Sequence, residues 1–240
     1  MQKIYNFPNP ANAPVNSPLA VGGDLSAEAL LQAYDKGIFP WFLPGEPIYW
    51  WSPDPRAVLI PSEVRVQKSI KSALKKFEVR FDYDFENFLK ICKSEREKRE
   101  PTWLSGDIVS AYVNLHRLGI SHSVEVYKDG ELAGGLYGQI FGKVFCGESM
   151  ISLKTGASKV ALISLCRALG PFDFLIDCQV VNDHLKFMGA KAMRRSEFLA
   201  KFNELKNQPS GFGEFKNLFA LLVSQSRAVV ARRAHNPKVG

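Results

Sequence analysis

One carboxylate, Glu148, stands in an otherwise apolar and glycine-rich stretch, GGLYGQIFGKVFCGESMISLKTGASK, from Gly134 to Lys159. A second apolar run, FDFLIDCQ, passes straight into Asp177 and Gln179. A carboxylate in a buried strand is costly unless something pairs with it, so each of these polar groups needs a physical reason. Alternation along a strand puts Asp177 and Gln179 on one face, two residues apart. A carboxylate beside an amide can orient a reactant and assist the loss of a proton. The six glycines of the first stretch weaken it as a strand and mark a bulge, or a close approach of another backbone or a ligand. Two strand ends that offer polar groups from an apolar sheet have the makings of a site.

The elements that must position these groups follow from periodicity and turn chemistry. The first sixty residues, with FPNPANAP and GIFPWFLPGEPIYWWSPDPR, hold too many prolines for long helices and predict a compact, loop-rich module over 1–60. One helix fits there, capped by Ser26, running through LLQAY and stopped at Gly37. From about residue 57 the pattern changes. AVLI and FEVRFD read as strands, with SIKSALKK as a helix between them. The helices DFENFLKICK and DIVSAYVNLHRLG come next, then a hairpin of SHSVEVYK and ELAGGLYGQI around Asp129-Gly130. KVFCGESM is a strand, ASKVALISLCRAL an amphipathic helix, FDFLID a buried strand and VNDHLKFMG a short helix. SEFLAKFNELK is a helix capped by Ser196, and FKNLFALLVSQSRAVV a last one leading into the basic end ARRAHNPKVG. This order, helices, a central antiparallel run, then a helix and a parallel-type strand, is that of an α/β (α+β) GNAT-like N-acyltransferase domain over 61–240. In that fold the fourth and fifth strands splay and the acyl donor lies in the gap. Here those strands are KVFCGESM and FDFLIDCQ.

Composition narrows the setting. The chain has 240 residues, 46% hydrophobic and 23% charged, as in an ordinary globular protein. No apolar run approaches the roughly 18 to 20 residues that span a bilayer, and MQKIYNFPNP lacks the layout of a signal peptide. The expectation is a cytoplasmic, membrane-free protein, monomeric for want of any heptad seam. Cys92, Cys146, Cys166 and Cys178 are far apart and read as buried free thiols; neither they nor the four histidines show the close ligand pairs of a zinc site. Net charge is +7, concentrated in residues 186–240, where eleven Lys/Arg face three Asp/Glu. A lesser surplus, eleven against six, lies in 65–99. Localised basic surface suits a polyanion such as RNA, or is simply a solvated face with a basic tail over about 209–240.

Eight ordered motifs carry a more specific likeness: LAVGGDLS (19–26), AYDKGIFPWF (33–42), WWSPDPR (50–56), SHSVEVY (121–127), GGLYG (134–138), GESM (147–150), ASKVAL (157–162) and DCQ with HL (177–179, 184–185). Together they resemble the leucyl/phenylalanyl-tRNA–protein transferases over roughly residues 7–200. The resemblance implies transfer of Leu or Phe, with Met as a further donor, from aminoacyl-tRNA to the N-terminal Arg or Lys of a protein, marking it for N-degron proteolysis. Tyr127 stands where that family usually has Trp, and Ile151 where Phe is common.

The residue chemistry agrees with that implication. An aminoacyl ester is already activated, so aminolysis needs no ATP, metal, cofactor or covalent relay. The chain accordingly shows no P-loop and no nucleophile–base dyad. An α-amino group has a pKa of about 8, so modest base assistance suffices, and alignment can supply about 7 to 11 kcal/mol of the barrier. Asp177 and Gln179 are the expected reacting centre, Gln179 holding the amine through its carbonyl and Asp177 orienting Gln179 or favouring proton loss. Asp177 as the cap of the following helix is the structural alternative. Glu148 is expected on the donor's α-ammonium or ordering nearby backbone, the alternative being a buried pair with Arg or Lys. By resemblance Leu136, Phe145, Met150, Leu162, Leu165 and Ile176 form an apolar pocket; taken singly each fits plain core better, and Met150 suits a pocket because a thioether adapts to different shapes. Trp50, Trp51 and Trp103 are candidates for the terminal adenosine or for packing. Ser158 and Lys159, in the loop SLKTGASK, are candidates for an RNA phosphate. That loop keeps only Gly156 of the acetyltransferase pyrophosphate motif, which weighs against the first competing reading, a coenzyme A-dependent acetyltransferase. The second, a non-catalytic RNA-binding module, leaves the polar groups in two apolar strands unexplained.

Overall fold

A computed structural model describes residues 3–99, 101–218 and 220. In the N-terminal part, β1 (Ala20–Val21), α1 (Ala27–Tyr34), β2 (Phe39–Pro40) and β3 (Tyr49–Trp51) form a helix and a small antiparallel sheet of order β1-β3-β2. Ser26 caps α1 as expected, its hydroxyl accepting from the Ala29 N–H. Strands of two and three residues are too short for any periodicity, so they were not visible as strands among the prolines.

The rest of the chain builds β4 (Arg56–Leu59), α2 (Lys68–Ala73), β5 (Glu78–Phe81), α3 (Phe85–Glu97), α4 (Gly106–Arg117), β6 (Ser121–Lys128), β7 (Glu131–Phe141), β8 (Val144–Ser152), α5 (Ala157–Leu169), β9 (Leu175–Gln179), α6 (Asp183–Met188), β10 (Lys191–Met193) and α7 (Arg195–Leu205). Seven of these strands form one mixed sheet of order β10-β4-β9-β8-β7-β6-β5. Its first strand therefore opens at Arg56, a few residues before position 61. All neighbours are antiparallel except β8 and β9, which the crossover through α5 makes parallel.

Strand alternation sorts side chains onto two cores. Leu136, Phe145 and Ile176 join the core beneath α5 and α2. Their neighbours Tyr137, Cys146 and Leu175 join the core under α1, α3, α4 and α7. The amphipathic character expected of α5 does not hold. All of its positions except Lys159 and Arg167 are buried, because it packs against the sheet and also against α2 and the 3-10 turns Pro61–Glu63 and Gly170–Phe172. Helix α7 also differs: it begins at Arg195 with Arg194 at the N-cap and no side-chain cap, so Ser196 lies in its first turn. The buried Arg195 guanidinium donates instead to the carbonyls of Ala13 (2.5 Å) and Ser52 (2.8 Å), tying the N-terminal segment to α7. Of the expected last helix, the described part opens with a 3-10 turn, Phe215–Asn217, Leu218 and Ala220 being α-helical, with Phe215 stacked on His122 at 4.4 Å. The remainder of that helix and the basic end from 221 onward lie outside the described residues.

The glycines of β7 have the role that close approach demands. A Cβ on Gly138 would stand 2.2 Å from the Cys146 carbonyl oxygen and 2.7 Å from the Phe145 ring. Gly138→Ala is therefore expected to lower unfolding free energy by about 1–3 kcal/mol, the usual cost of overpacking. A urea midpoint equal to that of the wild type would contradict this account of β7.

Candidate active site

The site forms where the two parallel strands part. β8 and β9 pair only through Val144↔Leu175, Phe145↔Ile176 and Cys146↔Asp177. Beyond that point a cavity of about 280 Å³ is lined from both strands. Two bulges aim the polar groups there. In the β7–β8 ladder Tyr137 faces Ser149 and Gly138 faces Gly147, so Glu148 is the extra, unpaired residue. In the β4–β9 ladder Ala57 faces Gln179 and Val58 faces Asp177, which leaves Cys178 unpaired. Bulges redirect side chains and are common at sites.

Glu148 is partly buried and holds three donors. The Tyr34 hydroxyl donates to Oε1 at 2.7 Å, the Gln179 Nε2 to Oε1 at 2.8 Å, and the Tyr112 hydroxyl to Oε2 at 3.0 Å. Among the described residues it has no Lys or Arg partner, so the ion pair considered from sequence is absent. Loss of solvation pushes its carboxyl up to about 7; the two tyrosine hydroxyls pull the other way, and the charge of Asp177 adds to the rise.

Asp177 does not line the cavity. It is 1% exposed and forms a bidentate pair with Arg56, Nε to Oδ1 at 2.8 Å and Nη2 to Oδ2 at 2.6 Å. The guanidinium lies between the rings of Phe39 and Phe198, at 4.8 and 4.5 Å. Strict alternation would give Asp177 and Gln179 the same surroundings. The register shift at Cys178 and the left-handed φ of 60° at Gln179 separate them. The link between them is through backbone: the Gln179 N–H donates to Asp177 Oδ1 at 2.9 Å. Nor does Asp177 cap α6, where the Asn182 side chain accepts from the Leu185 N–H.

Leu136, Phe145, Met150, Leu162, Leu165 and Ile176 all line the cavity, and so do Trp103 and Gln179. Trp50 does not. It is buried in the small sheet, its indole N–H donating to the Gly22 carbonyl. Trp51 is one step removed: its indole N–H donates to the carbonyl of Trp41, and Trp41 lines the cavity. Ser158, bonded to Ser152 Oγ, borders a neighbouring cavity. Lys159 lies over the Phe187 ring at 5.3 Å and borders neither. Sequence reasoning missed Arg56, Tyr34 and Tyr112. An arginine opening an apolar strand was a usable signal for a buried acid partner; two tyrosines on amphipathic helices carried none.

The sequence profile described as leucyl/phenylalanyl-tRNA protein transferase matches residues 58–203, and that of the same family's N-terminal domain matches residues 23–54. The chain belongs to the leucyl/phenylalanyl-tRNA protein transferase family. A relative so named from Campylobacter lari is 48% identical over 218 residues, 91% of this chain and 100% of its own. Those from Nitrosomonas europaea (48% over 197 residues) and Thiobacillus denitrificans (50% over 197) cover 81% of this chain and 84% and 86% of theirs. Both faces of the family's cavity in this chain come from matched regions: Phe39 to Trp41 from the N-terminal domain, and the β8–β9 fork from the main one.

Away from this family's cavity, folding brings Asp82, His116 and His122 together, a grouping invisible in their spacing. Hydrogen bonds already engage them: His122 Nδ1 contacts Asp82 at 2.7 Å, and His116 Nδ1 the Ser121 carbonyl at 2.8 Å.

Two stability measurements test this geometry. Asp177→Ala leaves a sealed guanidinium without its partner and is expected to cost about 3–5 kcal/mol. Arg56→Met combined with Asp177→Leu should cost less than the two single losses added; strict additivity in that cycle would show the pair uncoupled. For Glu148, whose carboxyl keeps its proton from 4.5 up to about 7 on folding, the contribution to stability is full below about pH 4.5 and is lost as pH rises through 7. Glu148→Gln never ionises, so it should gain stability relative to the wild type between pH 5 and pH 8. A difference that stays flat across that window rules the assignment out.

Proposed function

We propose that the protein transfers Leu or Phe from aminoacyl-tRNA to the N-terminal Arg or Lys of acceptor proteins, which marks them for N-degron proteolysis. The observation that carries the reading is the apolar cavity at the strand fork with Glu148 and Gln179 on its polar side. The donor's side chain enters among Leu136, Phe145, Met150, Leu162, Leu165 and Ile176. An apolar hollow separates side chains that differ by a methylene by only about 1–3 kcal/mol, which fits a donor range of Leu, Phe and some Met.

Glu148 faces the donor's α-ammonium. Because a carboxylate can only accept, Gln179 presents its NH2 group to Glu148 and keeps its carbonyl oxygen for the incoming amine. The amine nitrogen attacks the ester carbonyl carbon, the peptide bond forms, and the bond to the ribose oxygen breaks. The amine's proton ends on the ribose hydroxyl that leaves with the uncharged tRNA. Asp177 acts as a positioning residue, holding the Gln179 N–H from its pair with Arg56. The four cysteines are free thiols, which suits the cytoplasm. Among the described residues no helix is long and apolar enough to cross a membrane.

Radiolabelled Leu-tRNA and a peptide beginning with Arg provide the test. Label is expected on the peptide, dependent on charged tRNA and abolished by ribonuclease. Gln179→Ala should lower kcat by about 100-fold, the scale of loss when a reacting group is misplaced by about 1 Å. Acetyl transfer from acetyl-CoA would instead favour an acetyltransferase, and tRNA binding without product an RNA-binding module.

A further inference from the structure

The donor cavity does not end at the fork. A second cavity, of about 290 Å³, shares Arg96, Met150 and His184 with it and adds Glu95, Arg99, Ile151, Ser152 and Ser158, the Glu95 carboxylate being paired with Lys98. A third, of about 400 Å³, shares Arg99 with the second and lies between Pro44 and the segment from Glu97 to Thr102. Through these shared residues the three cavities adjoin one another from the fork to the C-terminal end of α3.

Charge along the path is uneven. On α3 and its cap, Lys90, Lys93 and Lys98 are each neutralised by Glu86, Glu97 and Glu95. Arg96 and Arg99 have no carboxylate partner among the described residues. Arg96 sits at the junction of the first two cavities, with Nε and Nη2 both donating to Ser149 Oγ at 3.0 and 2.5 Å. Its Nη1 makes no hydrogen bond within the described residues. Ser158, in the first turn of the 13-residue helix α5, also borders this cavity; that turn holds no acidic residue, and the Ser158 N–H donates to Ser152 Oγ at 2.9 Å. Two guanidinium groups on one cavity wall, neither with a carboxylate partner among the described residues, make a pocket for a negatively charged oxygen cluster.

The geometry points to the second cavity as the seat of the phosphodiester of the donor's terminal nucleotide, with Arg96 and Arg99 marking the route of the single-stranded 3′ end out of the active site. This rests on the transferase reading above and extends it from the esterified residue to the strand behind it. Arg99 follows Arg96 across the turn that ends α3, its N–H donating to the Arg96 carbonyl at 2.9 Å, so the two side chains can meet successive parts of one extended strand. Planar guanidinium groups match phosphate oxygens in paired hydrogen bonds.

The test compares two minimal donors, leucine esterified to adenosine and leucine esterified to adenosine 5′-monophosphate. The wild type should use the phosphorylated donor about tenfold better in kcat/KM, the scale of one charge-assisted contact. Arg96→Ala should bring that preference close to one, and Arg96→Lys should keep part of it. Arg99 is exposed, so its variant tests the route without disturbing the fold. With Leu-tRNA, Arg99→Ala should flatten the slope of log kcat/KM against log salt by about 0.7, the share of one single-strand phosphate. Equal losses on both minimal donors in Arg96→Ala, no loss on either, or an unchanged salt slope in Arg99→Ala would overturn the proposal. So would an effect that follows the charge of the acceptor peptide instead. A wild-type protein inert towards every donor would sink the transferase reading itself, and that outcome is visible in the control alone.

Discussion

The pair between Arg56 and Asp177 is the constraint on which the site rests. It joins β4 to β9 at the point where β9 leaves β8, and it is sealed to within 2% of full burial on both sides. A buried ion pair gains little over an apolar pair of the same shape, because desolvation consumes most of the Coulomb attraction. Its value lies in position. Asp177 Oδ1 serves both Arg56 Nε and the Gln179 N–H, so the guanidinium fixes the backbone that presents Gln179. Gln179 in turn reaches Glu148, which two tyrosines hold from the helical side. The chain of contacts runs from a sealed charge to a group at the cavity wall, each member orienting the next.

The fork itself follows from backbone chemistry. Parallel pairing lasts three residues, after which each strand carries a bulge. Gly138 lets β7 and β8 approach so closely that no Cβ fits, and the bulge opposite it turns Glu148 out of the ladder. Removing the ladder contacts beyond Cys146 and Asp177 costs backbone hydrogen bonds, and the strand exposed on each side becomes cavity wall. The helix α5, buried almost throughout, closes the opposite side with Leu162 and Leu165.

Electrostatics and apolar surface are coupled here. The same dry walls that suit a leucyl or phenylalanyl side chain raise the Glu148 carboxyl to about 7, while the tyrosine hydroxyls keep it from rising further. A carboxyl poised there can shed or keep a proton at small cost, as suits a site handling amines. Past Arg96 the walls become more polar, with Arg99, Ser152 and Ser158 beside the Lys98-paired Glu95, so the side-chain compartment borders the proposed polyanion route.

The sequence by itself determined most secondary elements of the main domain, the anomaly of the two strands and, through the resemblance its motifs carry, six of the apolar residues that line the cavity. Those properties are local: strand alternation, turn residues and a motif order that can be read along the chain. Glu148 and Gln179 were legible for the same reason, as polar groups in apolar strands. What only the tertiary structure decided was who meets whom. Arg56 and Asp177 are 121 positions apart, and Tyr34 and Glu148 are 114 apart. The two- and three-residue strands, the cap of α7 and the burial of Trp50 likewise depend on partners distant in sequence. Asp177 and Gln179 looked equivalent as neighbours on one strand, yet a one-residue bulge sent one into a sealed pair and left the other at the cavity. Periodicity describes a strand taken alone, whereas a bulge exists only in relation to the strand beside it.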